Sequence, residues 1–149
     1  AYLDHMEIQM QDGENMILKP DKKDIVVDFK DMNKMFETAK VDDNEFRYAE
    51  VLWVSESGDK LYKTYKITFV PATAGNGYQS STEAKYTDVK ESLYFLKSGQ
   101  EIAEEVPSGT NKIFKTLFDK SFKSIANEQG LDVKDNNELI QLLDLYYNG

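Results

Sequence analysis

The stretch FRYAEVLWVSESGDKLYKTYKITFV, residues 46–70, decides the fold class. Two runs rich in β-branched and aromatic residues flank Ser57-Gly58, which is the pattern of a β-hairpin. With a two-residue loop there, Phe46 faces Phe69, Tyr48 faces Ile67 and Val54 faces Leu61 on one side. The other side receives Trp53 opposite Tyr62, Val51 opposite Thr64 and Ala49 opposite Lys66. This register separates a mostly apolar face from a mixed one, as a half-buried sheet requires. It places Glu56 opposite Asp59, two like charges beside the turn. A three-residue loop pairing Glu56 with Lys60 relieves that repulsion but mixes the faces, so the two-residue loop is expected.

Upstream, residues 6–11 and 15–19 form a first hairpin around Asp12-Gly13, a type I′ signal in which both turn residues take positive φ. Residues 24–29 are apolar and β-branched enough for a further strand. Met32, Met35, Phe36 and Ala39 then fall at helical spacing, which predicts a short helix near 30–39. Residues 71–85 are rich in Gly, Ser, Thr and Ala and are expected to be an exposed loop. Residues 86–97 fit either element, and Leu93-Tyr94-Phe95-Leu96 favours a strand that joins the sheet.

The C-terminal part is helical. Ser108 or Thr110 can cap a helix with Ile113, Phe114, Leu117, Phe118, Phe122 and Ile125 on its apolar side. Gly130 stops it by taking the left-handed conformation. Asp135 or Asn136 caps a last helix with Leu139, Ile140, Leu142, Leu143 and Tyr146 inward. The expected fold is therefore α+β: a mostly antiparallel sheet built from two hairpins and packed against a C-terminal helix pair (residues 108–147). Residues 1–149 are expected to form one domain, mainly β over 6–97.

The chain has 149 residues, no cysteine and one histidine, His5, so thiol chemistry and the usual neutral-pH base are missing. The His5-Met6 junction is also what one common cloning site leaves behind; on that reading Met6 is the native start and residues 1–5 are foreign. A native start at Met6 implies the cytoplasm, whereas a removed signal peptide implies an extracytoplasmic protein. No apolar run reaches the roughly 18 residues of a membrane span, so no membrane insertion is expected. The net charge of −9 is uneven. Residues 1–59 hold fifteen acids against seven bases, whereas residues 60–129 hold eight against ten. Seventeen of the eighteen bases are lysine, which leaves Arg47 alone and little scope for bidentate recognition of phosphate or guanine. Such lysine bias, with abundant Asn and Tyr, fits an AT-rich bacterial or phage genome.

The chemical motifs are weak. Asp132 to Glu138 resembles a calcium loop only faintly, lacking glycine at its turn and an acid at Leu143, and Asp135 reads better as a helix cap. Asp42-Asp43-Asn44-Glu45 reads as a solvated turn. Glu50 lies on the apolar side of the hairpin, where burial could make it an acid; it has no second carboxylate for glycoside chemistry and reads better as a partner of Lys63. No catalytic, metal or cofactor residue is expected. The expected function is a non-enzymatic protein-binding or inhibitory module, of a phage accessory or immunity type or a cell-surface domain. The acidity keeps the protein soluble or, on a sharper reading, steers it to a basic partner. The module's expected contact residues are Trp53, Tyr62, Lys60 and Lys66 on the mixed hairpin face, with Tyr78 in the loop and the acidic first third for steering. The alternative is single-stranded nucleic acid, stacked on Trp53 and Tyr62 while lysines track the phosphates. A carboxylate-dependent hydrolase is the least favoured reading.

Overall fold

The computed structural model describes residues 5–21, 25–42 and 45–149. Among the described residues, ten strands and three helices form an α+β fold. The central element is a ring of five strands: β4 (Lys34–Val41), β5 (Glu45–Val54), β6 (Lys60–Lys66), β9 (Lys90–Leu96) and β10 (Ile102–Glu105). Successive strands in the ring pair antiparallel. An odd number of alternating strands leaves the first and last pointing the same way, so the seam where β10 meets β4 is parallel. β3 (Val26–Phe29) pairs with the N-terminal half of β4, at the end where β10 does not reach. The first hairpin, β1 (Met6–Gln9) with β2 (Asn15–Leu18), is a separate two-stranded sheet.

Ala39, Ala49 and Ala103 pack with Val41, Tyr62 and Tyr94 in one buried cluster inside the ring. The three methyl side chains leave the width that two tyrosine rings fill, the usual solution for a small barrel. A second cluster joins Trp53, Leu61 and Phe95, on the outside of the ring, to the helices. It is zipped by rings: Trp53 stacks on Phe95 at 6.4 Å, and both contact Tyr147. Tyr146 in turn packs edge-on against Phe118 and Phe122.

Both hairpin turns differ from expectation in the same way. At β5–β6, the Gly58 amide donates to the Ser55 carbonyl and the Ser55 amide to the Asp59 carbonyl. Gly58 has φ +95°, and no non-glycine residue in either turn has positive φ. This is a three-residue loop, a type I turn followed by a left-handed glycine. The β1–β2 turn repeats it, with Gly13 at φ +88°. A two-residue I′ turn needs positive φ at the residue before the glycine as well, which Asp12 and Ser57 avoid. The turn places Ser55, not Glu56, opposite Asp59, so the like-charge clash never arises. Asp59 instead accepts from the Ser55 and Ser57 hydroxyls and from the Ser98 amide. Burial opposes its ionisation, but these hydrogen bonds together hold the carboxyl below its usual range.

The helix expected near 30–39 is replaced by a single 3-10 turn, Lys30–Met32, and by β4. Asn33, left-handed at φ 51°, reverses the chain so that β4 folds back on β3. The helical spacing of Met32, Met35, Phe36 and Ala39 was coincidental, because strand pairing on both edges of β4 overrides it. The helix pair is a trio: α1 (Thr110–Leu117), α2 (Phe122–Gln129) and α3 (Asn136–Tyr147). No glycine or proline marks the break at Phe118, whose backbone is extended. Gly130 ends α2 at φ 67°, and Asp135 caps α3 by accepting from the Asn137 and Glu138 amides. Residues 90–96 are a strand, as favoured.

Candidate functional site

The residues expected to form one contact face are dispersed. The three-residue loop sets Trp53 opposite Leu61, and a bulge at Leu52 shifts the register again, so that Val51 faces Tyr62. Leu61 and Tyr62 are neighbours in one strand and point to opposite sides. Trp53 therefore packs under the helices, 6% exposed, and Tyr62 packs inside the barrel, 2% exposed. The indole Nε1 donates to Asp144 Oδ1 at 2.7 Å, which ties α3 to the barrel. The Tyr62 hydroxyl donates to Glu37 Oε1, and Lys60 Nζ lies 2.6 Å from the same oxygen. Burial first, then this carboxylate, push the Tyr62 phenol well above its ordinary value. Neither ring offers a stacking surface, and Lys60 is engaged in an internal ion pair.

Lys66 and Tyr78 have a different fate. Residues 71–85, expected as a loop, belong to a hairpin arm that continues β6 and β9 outward. Phe69 pairs with Tyr86 and Val70 with Lys85 in β7 (Phe69–Val70) and β8 (Lys85–Tyr86). The pairing continues through Thr73–Thr82 to Asn76–Gln79. About ten residues on each side extend past the barrel, which makes an arm of roughly 30 Å. Gly75 is required near the tip, where a Cβ would meet the Ser81 amide nitrogen at 2.7 Å and the Gln79 carbonyl at 2.8 Å. At the tip Asn76 Oδ1 accepts from the amides of Tyr78 (3.1 Å) and Gln79 (3.0 Å), a compact Asx turn. Tyr78 is held outward, 101% exposed. The signal available in the sequence was the symmetric placing of Thr73 and Thr82 about Gly77-Tyr78. It was weak because it lacks the apolar alternation by which strands are recognised.

A groove of about 840 Å³ opens where the arm leaves the barrel, between β9, β10 and the start of α1. Leu93, Val106, Ile113 and Val133 line it with apolar surface. Lys90, Lys112 and Lys134 stand exposed around it, together with Glu105 and with Glu91, which pairs with Lys63. Among the described residues none of the three exposed lysines is in an ion pair. Lys66 lies directly opposite Lys90 at the base of the arm, a like-charge pair that opposes pairing there. This lysine-rimmed groove was not anticipated, because its sides come from segments far apart in sequence.

Glu50 is buried on the outer face of β5, directly opposite Lys63 in register. It accepts from the Tyr65 hydroxyl and lies 3.6 Å from Lys34 Nζ, while Lys63 turns to Glu91 at 3.5 Å. This carboxylate is consumed by internal partners. Among the described residues no group of three or more His, Cys, Asp or Glu side chains could hold a metal ion. No helix of the described residues is long and apolar enough to cross a membrane. Asp43 and Asn44, in the acidic turn, lie outside the described residues. Comparison with protein-family models, curated proteins and solved structures returns no match to this chain.

Proposed function

We propose that this chain is a non-enzymatic protein-binding module that grips its partner with the hairpin arm and the groove at the arm's base. The observation that carries this reading is the ordered arm tip, which holds Tyr78 wholly in solvent. An aromatic ring held outward on a fixed turn gains contact area on binding and loses little conformational freedom. The arm is a two-stranded sheet, to which a partner strand can add in extension. Lys90, Lys112 and Lys134 outnumber Glu91 and Glu105 around the groove, which suits an acidic stretch of the same partner. The acidic first third of the chain steers association toward a basic patch elsewhere on that partner.

The test is site-specific photocrosslinking from position 78, compared with a probe at exposed Ile125 in α2. Crosslinks to one protein from position 78 alone, lost in Lys112→Glu/Lys134→Glu, are the expected result. Equal labelling from both positions refutes the arm as the contact. The lysine rim also favours a second reading, single-stranded nucleic acid, although the stacking pair on which that rested is buried. Binding of an oligonucleotide that weakens steeply with salt distinguishes it.

A further inference from the structure

The geometry points to the arm tip as a self-modifying site, where Asn76 converts spontaneously to a mixture of aspartyl and isoaspartyl residues through a succinimide. The chain contains two Asn-Gly pairs, Asn76-Gly77 and Asn148-Gly149, and the sequence treats them alike. The structure does not. At the tip the Asn76 carboxamide oxygen accepts two backbone amides, from Tyr78 and Gln79. The Gly77 amide donates no hydrogen bond among the described residues. Space around Gly77 is open, with nothing within 4 Å of where a Cβ would stand. The electrophile is thus polarised by two donors, while the adjacent nucleophile is free.

The step balances without any co-reactant but water. Gly77 N gives its proton to hydroxide and attacks Asn76 Cγ, and the negative charge moves onto Oδ1, where the two amide donors stabilise it. The Cγ–Nδ2 bond then breaks, and the nitrogen leaves as ammonia with a proton from water. Water opens the five-membered ring at either carbonyl. Opening at one side gives an aspartyl residue that keeps both tip hydrogen bonds and adds a negative charge. Opening at the other routes the chain through the side chain and lengthens it by one carbon, which breaks the Asn76–Gln79 bridge and reorients Tyr78. At Asn148 the carboxamide is clamped at both ends: Oδ1 accepts one amide, from Glu56, and Nδ2 donates to Asp144 Oδ1 at 3.0 Å. That side chain must break both contacts before it can react.

The experiment is timed incubation of the whole chain at mildly alkaline pH, followed by peptide mapping with mass spectrometry. A synthetic peptide of residues 71–85 serves as the unfolded reference. Ammonia loss at Asn76 at least about tenfold faster than at Asn148, and no slower than in the peptide, is expected from the extra oxyanion donor. Loss at Asn76 slower than in the peptide, or no faster than at Asn148, overturns the inference. Gly77→Ala, sterically tolerated, is expected to suppress the reaction; an unchanged rate in that variant also overturns it. The chemistry does not depend on what the arm binds, so its failure leaves the binding proposal standing, and a failed crosslinking experiment leaves the chemistry standing.

Discussion

Replacing Trp53 separates a surface role from a structural one. The ring is almost fully buried, stacks on Phe95, contacts Tyr147 at 5.6 Å and donates to Asp144. Trp53→Ala removes all of this and is expected to destabilise the fold by about 3–5 kcal/mol. A domain of this size holds about 5–15 kcal/mol in total, so the variant sits near the threshold of folding. Trp53→Phe keeps a stacking ring and loses the indole N–H. Asp144 is exposed and rehydrates, so about 2 kcal/mol is expected, from the lower end for a charge-assisted hydrogen bond plus the smaller ring. Combined with Asp144→Ala, the two changes are expected to be less than additive by about 1 kcal/mol, because both remove the same bond. Urea unfolding followed by far-UV circular dichroism measures each variant. The emission of the single tryptophan in the unmodified chain is expected to be blue-shifted and poorly quenched. Unchanged stability of Trp53→Ala, or a readily quenched tryptophan, refutes the placement of this residue between barrel and helices.

Tyr78→Ala is expected to abolish partner binding with a stability change below about 0.5 kcal/mol, as for a surface substitution, measured by calorimetric titration and thermal melting. Gly75→Ala forces a Cβ into the backbone of the returning strand, so hydrogen exchange is expected to rise within residues 71–85 while the barrel amides stay protected. Asp59 has a lowered folded pKa, so its contribution is present above the unfolded value and is lost as pH falls through the folded one; Asp59→Asn is expected to flatten the acid limb of stability against pH. Tyr94 is pushed up to about 12 by burial and by its hydrogen bond to Asp42. Its contribution is full below about pH 10 and disappears as pH rises toward the folded value, and Tyr94→Phe is expected to remove that share of the alkaline decline. Raising salt from about 50 to 500 mM is expected to slow association; a flat on-rate removes the steering role of the acidic first third.

What the sequence by itself determined was local. The three-residue loops needed a left-handed position, and Gly13 and Gly58 marked where it falls. Gly130 and Asp135 marked a helix end and a helix start because their backbone freedom and side-chain oxygen act within a few residues. The apolar spacing of Ile113, Phe114 and Leu117, and of Leu139, Leu142 and Leu143, named the buried helix faces, since those periods follow from helix geometry alone. Tyr78 in an exposed segment was legible from composition.

What the tertiary structure decided was everything that depends on which distant segment lies alongside. The three-residue loop shifts the register by one position, and with a period of two that shift moved Trp53 and Tyr62 to opposite sides of the sheet. The bulge at Leu52 shifts it once more beyond Trp53. Strand β4 overrode a helical spacing because β3, β5 and β10 hydrogen-bond to it, a gain that no local pattern records. The parallel seam, the arm as a continuation of β6 and β9, and the groove rimmed by Lys90, Lys112 and Lys134 all join residues remote in sequence. Side-chain spacing encodes a face only when the register is known, and register is a property of the paired strands together.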